Sequence, residues 1–66
     1  MSVSKELLES LKEIDNLVEL REWYHEASEF DVEINQLSRK YGKNPITVLF
    51  YIVSGKIKVE VRDEEV

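Results

Sequence analysis

Residues 37–52 read LSRKYGKNPITVLFYI, and this stretch carries the clearest signals of local structure in the chain. Gly42 stands where a helix is expected to end, because the left-handed backbone that follows a last helical turn is easiest for glycine. Asn44 and Pro45 then have the order of a capping residue followed by proline at the first helical position. The stretch therefore predicts two helices joined by a short turn. The predicted helices are 34–41 and 45–54.

Two further helices are predicted upstream. Apolar residues recur at steps of three and four from Val3 to Ala27, which is the period of a helix. Ser4 is suited to cap the first helix. Asn16 and Glu19 have the spacing of a capping box, which favours a second helix beginning there, although one bent helix is the alternative. The predicted helices are 4–14 and 16–29.

Two segments alternate apolar and polar residues, which is the period of a strand. Residues 30–34, FDVEI, predict a short strand before the third helix. Residues 56–61, KIKVEV, predict a strand with Ile57, Val59 and Val61 on one face. The edge of this strand is expected to be open to a second copy or another partner. Residues 1–66 are thus predicted to form a single, mainly α domain with a short β element (α+β).

Charge is unevenly distributed along the chain. The net charge is −5, yet residues 1–36 carry ten acids against three bases, while residues 37–58 carry five bases and no acid. The positive segment is either a footprint for nucleic-acid phosphates or an ordinary solvated surface. Its bases are Arg39, Lys40, Lys43, Lys56 and Lys58.

Composition argues against an enzyme. The chain has 66 residues, no cysteine and one histidine. His25 has helical spacing to Glu22 and Glu29, but no second histidine or cysteine is present to complete a transition-metal site. No glycine-rich phosphate loop occurs, and so small a domain offers little room for a substrate pocket. We therefore expect no catalysis, no cofactor, no metal and no small-molecule substrate. The lack of a long apolar run predicts a cytoplasmic protein with no membrane contact.

The pattern of residues 37–52 resembles the helix-turn-helix of bacterial and archaeal regulators. It places Leu37, the small Ser38, the Gly42 turn, the Asn44 cap and the pair Thr47-Val48 in register without a gap. With the flanking segments 30–34 and 56–61, the chain resembles a winged-helix domain. The wing is expected to be incomplete, because only about five residues follow its first strand.

This resemblance implies a small DNA-binding transcriptional regulator that acts as a dimer on double-stranded DNA. In such domains the second helix enters the major groove, where asparagine can pair with adenine and threonine can contact thymine. Basic residues around it contact phosphates. The nucleic-acid-binding residues implied here are Arg39, Lys40, Lys43, Asn44, Thr47, Tyr51, Lys56 and Lys58.

The outer face of the second helix departs from that pattern. No arginine or lysine lies between Pro45 and Ser54, and the helix is apolar almost all round. Such a helix is buried on both sides or docks onto something. The alternative function is therefore a protein-interaction winged helix or an accessory subunit of a nucleic-acid machine. Its predicted partner-binding residues are Ile46, Leu49, Phe50 and Val53, and the partner is a second copy or another protein.

Overall fold

The computed structural model describes residues 2–62, and most of them are helical. No helix in this part of the chain combines the length and apolar character needed to cross a membrane. The predicted mainly α fold with a short β element is confirmed. In chain order the elements are β1 (Ser2–Ser4), α1 (Lys5–Lys12), α2 (Leu17–Glu26), a 3₁₀ turn (Ser28–Phe30), α3 (Asp31–Tyr41), α4 (Pro45–Ser54) and β2 (Glu60–Arg62).

Helix α4 lies at the centre of the fold and contacts α1, α2 and α3. Its bounds are those predicted from the sequence. The Asn44 side chain accepts a hydrogen bond from the Thr47 amide at 2.9 Å, and Gly55 ends the helix in the left-handed conformation with φ 89°. Gly42 ends α3 in the same way with φ 66°. The turn between the two helices is therefore residues 42–44.

The predicted break between the first two helices is confirmed, although both are shorter than expected. The Ser4 hydroxyl accepts from the Leu7 amide at 3.2 Å and caps α1. The Asn16 side chain accepts from the Glu19 amide at 2.9 Å and caps α2. The Glu19 carboxylate reaches back to the amide of Asp15 at 3.1 Å, one residue earlier than an ordinary capping box.

The strand predicted over residues 30–34 is wrong, because this segment is the end of the 3₁₀ turn and the first turn of α3. As a strand it would place Val32 on the same face as Ile34. In the helix Ile34 is buried at 1% exposure and Val32 is 72% exposed. The helical stripe of Ile34 and Leu37 thus extends back to Phe30. Asp31 and Glu33 in the first turn favour a helix through its macrodipole.

The second predicted strand begins four residues late. Residues 56–59 alternate in burial as expected, with Ile57 and Val59 packed against the core. The strand β2 itself is limited to Glu60–Arg62, where β1 supplies a pairing partner. The two strands are parallel, with Val3 opposite Val61. Val61 is 47% exposed, so it does not share the buried face predicted for it. The sheet joins the two ends of the described chain and is not a hairpin wing.

The Glu33 carboxylate connects both strands to α3. Its Oε2 atom accepts from the Ser4 amide at 2.7 Å, and its Oε1 atom accepts from the Ser4 hydroxyl at 2.9 Å. The Arg62 guanidinium donates to Oε2 at 2.5 Å. The Glu33 side chain is only 13% exposed, so these charge-assisted bonds lie in a poorly solvated place.

We expect Glu33→Gln to lower the free energy of unfolding by about 1.5–3 kcal/mol, the usual cost of losing hydrogen bonds to a charged group. The amide group of glutamine would place a donor where Ser4 also donates. Urea unfolding followed by circular dichroism measures the change. Glu22→Gln, an exposed site on α2, is the matched control. Equal stability of the two variants would show that the Glu33 contacts add nothing.

Candidate functional site

Two lysines from opposite ends of α4 meet at Tyr51. The Nζ atom of Lys43, in the turn before α4, lies 5.7 Å from the centre of the Tyr51 ring. The Nζ atom of Lys56, after α4, lies 5.1 Å from the same centre. Both distances fall within the range of cation–π attraction. We refer to Lys43, Tyr51 and Lys56 as the basic cluster.

Backbone hydrogen bonds hold the basic cluster in place. The Ser38 hydroxyl donates to the carbonyl of Lys43, and the Lys43 amide donates back to the Ser38 carbonyl at 3.2 Å. On the other side, the Ile57 amide donates to the Tyr51 carbonyl at 3.2 Å. This bond turns the chain back along α4 immediately after Lys56. The lysines are thus fixed in position at their backbones while their ammonium groups remain in solvent.

The other predicted bases lie elsewhere on the surface. Arg39 lines a shallow depression on α3 together with Val32, Asn35 and Gln36. The Nζ atom of Lys40 lies 5.9 Å from the centre of the Tyr41 ring, near the end of α3. Lys58 is exposed in the segment between α4 and β2. The structure therefore brings two of the five bases into one cluster.

Asn44 and Thr47, expected to face DNA bases, are tied to the start of α4. The Oδ1 atom of Asn44 accepts the Thr47 amide in the cap described above. A bidentate contact with adenine uses Oδ1 and Nδ2 together, so it would have to share Oδ1 with the cap. Thr47 is half-buried. Both residues line a groove beside α4.

The predicted apolar face of α4 is divided by the fold. Leu49 has 0% exposure, so it belongs to the core and cannot serve as a partner-binding residue on the surface. The stripe Val48 and Ile52 is buried as expected, but α1 and α2 cover much of the opposite side as well. Val53 lines a second, smaller groove against α1. Phe50, at 38% exposure, and half-buried Ile46 remain on the side facing α2.

An apolar groove of ≈ 530 Å³ runs between the start of α2 and α4. Leu17, which is 37% exposed, lines the groove from α2, and Phe50 lines it from α4. Arg21 adds a positive charge to the α2 wall. Tyr51 belongs to both the groove and the basic cluster, so the two surfaces adjoin. The lining residues are Leu17, Arg21, Asn44, Pro45, Ile46, Thr47, Phe50 and Tyr51.

Sequence reasoning missed three residues of these surfaces. Leu17 belongs to the helical apolar period of residues 3–27, which did not mark it as a surface residue. The spacing of Arg21 four residues after Leu17 places both on one face of α2, which was a usable signal. Ser38 was expected only to allow close helix packing. Its hydroxyl donates to the carbonyl of Lys43, and this contact can be recognised only from the geometry of residues 42–44.

Residues 2–62 contain no group of three or more histidine, aspartate or glutamate side chains arranged to hold a metal ion. Comparison of the chain with protein-family models, with curated proteins and with solved structures finds no match. The resemblance to winged-helix domains therefore stays a prediction from the sequence.

The different roles of Leu49 and Phe50 are testable by truncation. We expect Leu49→Ala to lower the free energy of unfolding by about 2–5 kcal/mol, because it opens a cavity in the core. A domain of this size has only about 3–5 kcal/mol of stability, so the variant is expected to be partly or wholly unfolded at room temperature. Phe50→Ala is the control and should cost less than half as much, as its ring is already partly in water. Thermal unfolding of both variants measures the difference, and a larger loss for Phe50→Ala would contradict this assignment.

Proposed function

We propose that this chain binds double-stranded DNA through the surface that carries the basic cluster. The observation that supports the proposal is the convergence of Lys43 and Lys56 on Tyr51, from the two ends of one helix. Two ammonium groups placed beside one aromatic ring give a local positive charge, which attracts the negative charge of a phosphate backbone. The resemblance to helix-turn-helix regulators implies that α3 and the turn of residues 42–44 hold α4 in position on the DNA.

The acidic balance of the whole chain is compatible with this proposal. The ten acids of residues 1–36 fall largely on α1, α2 and the start of α3, whereas the bases of residues 37–58 follow them in the chain. A charged surface attracts DNA through its local potential, which is screened over about 8–10 Å at physiological salt. A net charge of −5 for the whole chain therefore does not prevent binding of DNA at the basic cluster.

Fluorescence anisotropy of a labelled duplex tests the proposal directly. Two phosphate contacts alone should lower the affinity about tenfold between about 50 and 200 mM salt, and each further contact steepens the dependence. Absence of binding at tens of micromolar protein and low salt would overturn the proposal.

Removing one charge from the basic cluster tests whether DNA binds at this cluster. Lys43→Gln and Lys56→Gln should each weaken binding and reduce the slope of log affinity against log salt by about 1. Lys5→Gln, on the exposed first turn of α1, removes the same charge outside the cluster and should leave the slope unchanged. Equal effects of all three substitutions would indicate a response to net charge and contradict a localised site.

A second candidate function is association with another protein chain through the apolar groove. Leu17 and Phe50 both line it, and both are more than a third exposed. Exposed large apolar residues gathered in one place are typical of an interaction surface. A domain of 66 residues also gains stability from burying such a surface against a second copy.

Analytical ultracentrifugation tests whether the apolar groove binds a second copy of the chain or is only exposed to solvent. We expect the protein to sediment as a dimer at tens of micromolar, and Phe50→Asp to sediment as a folded monomer, because a carboxylate in the contact would be desolvated without a partner. Val32→Asp, an equally large change at a 72% exposed site on α3, is the control and should remain dimeric. A monomeric parent protein would exclude self-association.

A further inference from the structure

Reading a DNA sequence requires polar side chains on the helix that enters the groove. Hydrogen bonds to base edges distinguish one base pair from another, whereas phosphate contacts only position the protein. Helix α4 and its cap offer four such polar side chains. These residues are Asn44, Thr47, Tyr51 and Ser54.

The fold uses two of these four polar groups in internal hydrogen bonds, and the other two side chains are partly buried. The Oδ1 atom of Asn44 caps α4 through the Thr47 amide at 2.9 Å. The Ser54 hydroxyl donates to the carbonyl of Tyr51 at 3.2 Å. Thr47 is half-buried in the wall of the apolar groove, and the Tyr51 ring lies against Lys43 and Lys56.

The rest of the accessible α4 surface is apolar. Ile46 and Phe50 lie one turn apart on it. Apolar side chains can touch a thymine methyl or a sugar, but they supply none of the donor and acceptor pattern that separates the four base pairs. The charged groups beside this surface are Lys43 and Lys56 at the ends of α4, which suit phosphates, and Arg21, which belongs to α2 and not to the helix proposed to face DNA.

We propose that the chain binds duplex DNA without sequence preference, by contacts to the phosphate backbone. This inference rests on the proposed function and specifies its ligand class as any duplex, in place of the single operator that a regulator would recognise. The Asn44 carboxamide contributes to helix capping and makes no base contact.

Selection from a random duplex library, followed by anisotropy on individual duplexes, tests the inference. We expect no enriched motif, and dissociation constants for AT-rich, GC-rich and mixed duplexes that agree within about threefold, against the about five- to 150-fold that one wrong base pair costs a specific protein. An enriched site bound more than about thirtyfold tighter than mixed DNA would overturn the inference and leave the proposed function standing. Failure to bind any duplex would overturn both.

Asn44→Ser provides the sharper test, because serine caps a helix about as well as asparagine but has no carboxamide. We expect the same far-ultraviolet circular dichroism and affinities unchanged within about twofold on every duplex. A loss confined to duplexes with particular adenines would show that Asn44 reads bases, and would overturn the inference. Asn44→Ala removes the cap as well, and its thermal unfolding measures that separate contribution.

Discussion

The Glu33 carboxylate is the constraint on which the arrangement of the chain depends. Ser4 is the last residue of β1 and caps α1, and it donates both its amide and its hydroxyl proton to this one side chain. Arg62 on β2 binds the same carboxylate. Strand pairing, the start of α1 and the position of α3 are therefore linked through one charged group. A two-stranded sheet of three residues per strand is too small to be stable alone, and here it is held by a side chain from the helical layer.

The pairing of β1 with β2 also shapes the surface of α4, which lies among the other three helices. Because β1 and β2 are held together, the segment between α4 and β2 has to return along the molecule, and it packs Ile57 and Val59 on the core. The return begins at the hydrogen bond from the Ile57 amide to the Tyr51 carbonyl, and it brings Lys56 beside the Tyr51 ring. The basic cluster is thus a product of chain closure as well as of helix geometry.

The sequence alone predicts helix bounds that are set by capping residues and glycines. It does not predict features that depend on contacts between residues far apart in the chain. The bounds of α4 follow from Asn44, Pro45 and Gly55, each of which acts on its own neighbours. The residues 30–34 satisfy strand alternation and helical spacing equally, and the choice depends on the burial of Ile34 and the contact of Glu33 with Ser4, 29 residues away. No local pattern predicts a parallel pairing between residues 2–4 and 60–62. Leu49 was misassigned for the same reason, since a helix that is apolar all round does not reveal how much of it α1 and α2 will cover.

A helix-turn-helix pattern in the sequence does not by itself imply that the protein recognises a particular DNA sequence. Asn44, Pro45 and the two glycines are required to build the two helices, and they would be required whatever the helix touched. Base reading depends on other positions, those on the outer side of α4, and there the chain has Ile46 and Phe50 beside the half-buried Thr47 and Tyr51. The residues that produce the resemblance are therefore largely those that form the fold. What the surface adds beyond the fold is a pair of lysines at a tyrosine and an apolar groove, and a function of this chain has to be argued from these features and not from the pattern that forms the fold.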